Sequence, residues 1–151
     1  MSITVRRFKK EDEDKAKDLM VQLCQITNVP FDEAKWRWGV SMRLFDALRR
    51  NGMLVAEQDD GKIVGMTFAD ISIDPTGVST GYIRNVIVDS REQGQGIGKM
   101  LISKAIEYLR EMEVHEILIN ARTQNEKALK LYEDLGFKTA YQVMKLRPKK
   151  N

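Results

Sequence analysis

The stretch VIVDSREQGQGIGKMLISKAI, residues 86–106, runs from β-branched residues through a polar turn into three glycines and then a helical pattern. A glycine-rich turn that opens a helix gathers unpaired backbone amides and the positive end of the helix dipole at one point, which suits a phosphate. Glycine at positions 94, 96 and 98 removes the Cβ atoms that would hold a ligand off the backbone. Two nucleotide-binding patterns fail on named residues. A P-loop ending at Gly98-Lys99 would need glycine at Gln93 and a hydroxyl at Met100. The dinucleotide fingerprint puts its third glycine on Lys99 when counted from Gly94, and on Leu101 when counted from Gly96. What is left is Gln93-x-x-Gly96-x-Gly98, with amides available to an anion from Gln93 through Gly94, Gln95, Gly96, Ile97 and Gly98 to Lys99.

Other chemistry-bearing residues are sparse. Cys24 is the only cysteine, so these residues form no internal disulfide and a reducing compartment is expected. It sits in the apolar run LMVQLCQI, as a buried thiol rather than a nucleophile. His115, the only histidine, falls between a helix and a strand and reads as a surface or hinge residue. The segment PFDEAKWRWGVSMRLFD sets Phe31, Trp36, Trp38 and Phe45 near Asp32, Glu33 and Asp46. Aromatics beside carboxylates suit a cationic amine, and equally a core-facing stripe with solvated charges.

The elements around the turn follow from periodicity. ITVRRF predicts a first strand, and Ala16, Leu19, Met20 and Leu23 follow helical spacing up to a break at Pro30. A second helix is expected over 32–50, stopped by Asn51-Gly52. Strands are expected at 53–58 and 62–73, joined by a hairpin turn at Asp59-Asp60-Gly61, and at 81–89. After the glycines, Ile97, Leu101, Ala105, Tyr108, Leu109 and Met112 line one side of a helix. A strand at 116–121, a helix at 125–135 capped by Gly136, and a last strand at 138–147 complete the order. This is an α/β (mixed α+β) pattern: one mixed, twisted sheet of about six strands with helices on both faces, and a parallel crossover from 86–89 to 117–121.

With 151 residues, 42% hydrophobic and 31% charged, the chain is expected to form one globular domain over 1–151. Its net charge of +3 lies partly in the tail Lys145, Arg147, Lys149 and Lys150, and without a basic stripe nucleic acid is not an expected partner. No stretch approaches the ~20 apolar residues of a membrane span, and the start lacks a secretory apolar run, so a cytoplasmic protein is expected.

Gln93-x-x-Gly96-x-Gly98, placed after a strand and opening a helix, resembles the acetyl-CoA signature of the GNAT superfamily of N-acetyltransferases: Gln or Arg, two residues, Gly, one residue, Gly or Ala. The segment NEKALKLYEDLGF, residues 125–137, resembles the family's following segment, an Asn opening a helix that carries a Tyr and closes on Leu-Gly-Phe. The predicted topology of 3–147 agrees with that family. The resemblance implies a GNAT-like fold and an N-acetyltransferase, with acetyl-CoA as acetyl donor and direct transfer from the thioester to a primary amine. The acceptor classes left open are a protein N-terminus, a lysine and a small-molecule amine.

Residue roles follow from the same resemblance. The turn from Gln93 to Lys99 would hold the pyrophosphate, and the segment Val86, Ile87, Val88 would pair with the pantetheine arm. The Val88 amide would polarise the thioester carbonyl, Asn125 would touch the pantetheine or phosphate portion, and Tyr132 would protonate the departing sulfur. By residue type alone, Asn125 is a helix N-cap and Tyr132 completes an apolar stripe with Ala128, Leu131 and Leu135. Where some relatives carry a base glutamate this chain has Asn120, and Tyr82 stands roughly where others carry one on the preceding strand. Asp70, Glu57 and a water chain remain as unranked bases. The alternative to an enzyme is a non-catalytic CoA-binding sensor or scaffold. The resemblance implies no metal, and pairing of two copies through the last strand, a homodimer, is common in the family.

Overall fold

The computed structural model describes residues 2–149, so Lys150 of the basic tail lies outside the described residues. The chain divides into two compact units, the first ending at Asn120 and the second beginning at Ala121.

The first unit is built on one sheet with strand order β1-β2-β3-β4-β5. These are β1 (Ile3–Arg7), β2 (Met53–Gln58), β3 (Ile63–Ile73), β4 (Ser79–Val88) and β5 (Glu116–Ile119). The first four pair antiparallel, and β5 pairs parallel with β4 from Thr80↔Glu116 to Ile83↔Ile119. That parallel pair needs a crossover, supplied by α3 (Ile97–Glu111).

On one face lie α1 (Asp12–Thr27) and α2 (Glu33–Phe45). Ala16 and Leu19 of α1 and Trp36 and Val40 of α2 meet Met53, Val55, Met66, Phe68 and Ile87 of the sheet in one buried cluster. Trp36 stacks on Phe68 at 6.4 Å between ring centroids, and Phe8 meets the same ring edge-on at 6.1 Å. α1 ends at Asn28, in the left-handed region at φ 56°, two residues before Pro30. α2 is capped by Asp32, whose side chain accepts from the Lys35 amide at 3.1 Å. It stops at Phe45 rather than 50, because Asp46 is extended and turns its carboxylate onto the Leu48 amide at 2.9 Å.

The other face carries α3. Its buried stripe of Ile97, Leu101, Ile102, Ala105 and Leu109 lies close to the sheet because two strand positions lack a side chain. A Cβ on Gly81 would stand 2.9 Å from Leu109, and one on Gly65 would stand 2.9 Å from Leu101 and 3.2 Å from Ile97.

The second unit is α4 (Glu126–Asp134) with its flanks. Asn125 caps it, accepting from the Ala128 amide at 3.1 Å. Gly136, at φ 101°, closes it, and the Phe137 amide returns to the Tyr132 carbonyl at 3.0 Å. The sixth strand expected at 138–147 is absent: those residues hold no regular structure. Tyr141, Val143, Met144 and Leu146 are all exposed, and the segment joins no ladder. Apolar spacing makes a segment eligible for a sheet, but a strand exists only where another strand takes its backbone groups. Among the described residues the sheet therefore has five strands. No described helix is long and apolar enough to cross a membrane.

Candidate active site

β4 changes its pairing partway along. Met66↔Ile87 is followed by Phe68↔Arg84, so Thr67 faces two residues, Asn85 and Val86. Asn85 takes the extra position in the left-handed region at φ 56°, and the Thr67 hydroxyl donates to the Arg84 carbonyl at 2.8 Å. This is a β-bulge, which bends the strand and increases its twist. The last rung to β5, Ile83↔Ile119, lies two residues before the bulge. Beyond it β4 runs on to Val88 with one edge paired to β3 and, among the described residues, no strand paired along the other.

Alternation decides which groups face that open edge. The Asp89 amide donates to the Val64 carbonyl on β3 at 2.8 Å, so Ile87, two residues earlier, also turns its backbone toward β3. Val86 and Val88 turn theirs to the open edge. The Val88 carbonyl there is approached by the Gln93 side-chain amide at 3.5 Å. The Ile87 side chain is buried in the core.

The turn after β4 is tied down by Asp89, which is 2% exposed. Its carboxylate accepts from the Arg91 backbone amide at 3.0 Å, from Nε at 3.0 Å and from Nη2 at 2.9 Å. The Arg91 side chain, against the cost of burial, holds this carboxyl below the ordinary aspartate value. Lys62 Nζ stands 3.9 Å from Asp89 and 3.8 Å from Glu92, and the Ser90 amide donates to Gln22 of α1 at 3.0 Å. After this anchored segment Gln93, Gly94, Gln95 and Gly96 are exposed.

Gly96 is the N-cap of α3 at φ 75°, with no side chain to accept from the helix amides. The first intrahelical bond is Met100 N to Gly96 O at 3.1 Å, which leaves the amides of Ile97, Gly98 and Lys99 without partners among the described residues. Gly94, at φ 84°, and Gly96 both face open space, with nothing within 4 Å of a built Cβ. Ile97 is buried against the sheet, and Lys99 is exposed. The structure thus brings together, in the first unit, an outward-facing strand edge and a cradle of unpaired amides. These groups fit an elongated ligand with an amide-bearing arm and an anionic end.

The carboxylates considered as bases are both held by arginines. Glu57 accepts from Arg6 at 2.9 and 3.2 Å, which lowers its pKa below the ordinary glutamate value. Asp70 is buried, with both oxygens taken by the Arg43 guanidinium and Oδ2 also 3.1 Å from Arg84 Nε. Asn120 follows β5 and is exposed. The acidic residues near the aromatic segment are also satisfied: Asp32 by its cap bond, Glu33 by Lys17 and Arg37, and Asp46 by Arg49.

In the second unit, Tyr132 meets Phe137 edge-on at 6.2 Å, and burial raises its pKa above the ordinary tyrosine value. Asn125 spends its side-chain oxygen on the helix cap.

Residues 20–137 match the acetyltransferase (GNAT) family. The chain belongs to the GNAT acetyltransferase family. Within it, this chain is 32% identical over 116 residues to a glucosamine 6-phosphate N-acetyltransferase of Trypanosoma brucei brucei, covering 72% of this chain and 76% of that one. It is 44% identical over 57 residues to N-alpha-acetyltransferase 30 of Xenopus laevis, a match covering 38% of this chain and only 21% of that longer one. An aminoglycoside N-acetyltransferase solved in complex with CoA has the same fold, with a TM-score of 0.83 at 17% identity, covering 98% of this chain and 95% of that chain. The protein is an N-acetyltransferase of the GNAT fold.

Two features of this GNAT chain escape the pattern of the turn itself. The Arg43–Asp70–Arg84 cluster has one faint signal, a lone aspartate inside the apolar run IVGMTFADISI. The bulge has another, an asparagine amid the β-branched run IRNVIV.

Proposed function

We propose that the protein transfers the acetyl group of acetyl-CoA directly to a primary amine. The observation that carries this reading is the open edge of β4 beside the uncapped start of α3. Acetyl-CoA supplies an acetyl group already activated as a thioester. The amides of the Gln93–Lys99 turn take the pyrophosphate oxygens, where unpaired N–H groups and the helix dipole act together. Val86 and Val88 present backbone donors and acceptors to the pantetheine amides, as an edge strand does to an added one. The Val88 amide is the proposed donor to the thioester carbonyl oxygen. Ile87 contributes by filling the core beneath that edge.

A neutral amine nitrogen forms the C–N bond as the C–S bond breaks; sulfur takes a proton from Tyr132, the amine gives one of its own to water, and Tyr132 regains a proton from water. The Tyr132 hydroxyl, its pKa raised by burial, carries its proton across the neutral range and has it to give. Water takes the amine proton because Glu57 and Asp70 are engaged by arginines. Asn125 is proposed to orient the donor while capping its helix. The family match runs across both units, which supports reading 1–151 as one functional domain, and we place it in the cytoplasm. That the named relatives are N-acetyltransferases supports nitrogen as the acceptor atom.

The test is free-thiol release from acetyl-CoA by purified protein with a panel of primary amines. Amine-stimulated thiol, matched mole for mole by acetylated amine, is expected. Tight CoA binding with no stimulated thiol for any amine would point instead to a CoA sensor or scaffold.

A further inference from the structure

The α1–α2 face of the sheet carries a charged cluster that the donor site does not use. Asp70 is 8% exposed and is gripped by Arg43 of α2 through both terminal nitrogens. Arg84 of β4 reaches the same carboxylate with Nε alone, at 3.1 Å. Each guanidinium also lies over a ring, Arg43 at 5.1 Å from the Phe68 centroid and Arg84 at 4.7 Å from that of Tyr82. Two guanidiniums against one carboxylate leave one positive charge. It belongs to Arg84: Arg43 is spent on Asp70, while the two terminal nitrogens of Arg84 have no partner among the described residues and its side chain is 42% exposed.

Its position gives that charge a use. Arg84 is the first β4 residue beyond the last β5 rung, and the bulge at Asn85 follows directly. It therefore stands where the strand edge opens, two residues before Val86, with its guanidinium leaning back over Tyr82 toward Asp70. The ion pair of Nε with Asp70 and the stacking on Tyr82 bias the free end of the fork before any ligand arrives. A fork held this way suits an oxyanion, which it meets with two parallel hydrogen bonds. It repels a polycation.

Resting on the reading of β4 as the donor edge, we propose that the acceptor is an amine bearing an anionic group, a phosphate or a carboxylate, and that Arg84 docks this group on the α1–α2 side of the sheet where the β4 edge opens. Asp70 and Arg43 are positioning residues that hold the fork.

The experiment compares matched acceptors: glucosamine 6-phosphate with glucosamine, and glycine with glycinamide. At least one charged member is expected to exceed its neutral partner in kcat/KM by on the order of 10- to 10²-fold, chiefly through KM, and the pair that responds separates phosphate from carboxylate. In Arg84→Gln, with Asp70 still held by Arg43, that ratio should fall toward one. Arg84→Lys should keep part of it, having the charge without the fork. A purely structural role would lower both members alike and leave the ratio intact, and that result overturns the proposal, as does a parent with no preference for either charged member. If the parent acetylates no amine, the transferase reading falls first. Docking is then read by calorimetric titration of glucosamine 6-phosphate and glycine into parent and Arg84→Gln, where binding lost in the variant upholds it and no binding to the parent sinks it.

Discussion

Single atoms decide the chemistry at the residue scale. Tyr132→Phe deletes one hydroxyl while the ring keeps its contact with Phe137. Turnover should fall by about 10²- to 10⁴-fold if that hydroxyl protonates the leaving sulfur. CoA affinity should change far less, because one neutral hydrogen bond contributes only ~0.5–1.5 kcal/mol. Steady-state thiol release beside CoA titration separates the two, and unchanged turnover would remove Tyr132 from the reaction. The glycines of the Gln93–Lys99 turn were legible in the sequence because a cradle of unpaired backbone amides dictates its own residues. The cluster proposed for the acceptor was not. Arg43, Asp70 and Arg84 come from three separate elements, and no spacing along the chain registers a cluster assembled only by strand pairing.

The decisive contact among elements is α3 on β3. Gly65 pairs with Val88 and lies beneath Ile97 and Leu101, so the position of the uncapped helix start depends on a missing side chain. In Gly65→Ala the new methyl would meet the Leu101 side chain at 2.9 Å and the Ile87 carbonyl at 3.2 Å. The Ile87 carbonyl is fixed in the sheet, so Leu101 and Ile97 on α3 must yield and the helix start should move outward. A loss of about 1–3 kcal/mol is expected from overpacking, read by chemical denaturation, together with weakened CoA binding. Unchanged stability and affinity would show that α3 is not set by this contact. The central strands and α3 could be read from sequence because both faces of the sheet are buried and impose clear periods. The segment 138–147 could not, since its alternation says nothing about whether a partner strand is present. The end of α2 was misplaced for a local reason, an aspartate side chain competing for a backbone amide at Leu48.

For the molecule as a whole, acid stability follows from its clamped carboxylates. Asp12 is buried, which alone would raise its pKa, but Arg6 at 2.8 and 2.9 Å and the Lys9 amide at 2.8 Å lower it below the ordinary value. Glu57 and Asp89 are lowered by Arg6 and Arg91. A folded pKa below the unfolded one means stability that is complete above the unfolded value, roughly 4, and lost as pH falls through the folded one. Denaturation midpoints should hold from pH 7 to 5 and drop below about 4. Asp12→Asn should cost about 1–3 kcal/mol at pH 7 and less at pH 3, where the unfolded chain already takes up the proton that the folded Asp12 resists. An equal cost at both would deny the charge its part. Gly96→Asp tests the proposed donor site directly. Asp tolerates the left-handed backbone better than most residues, and its Cβ meets open space, so the fold should survive. The carboxylate would stand at the amides proposed for the pyrophosphate, with Gly96→Asn as the uncharged control. Calorimetric titration of CoA should show binding to the parent, a smaller loss in Gly96→Asn, and a loss on the order of 10²-fold or more in a folded Gly96→Asp; equal affinity in parent and Gly96→Asp would contradict the placement of the donor at this turn.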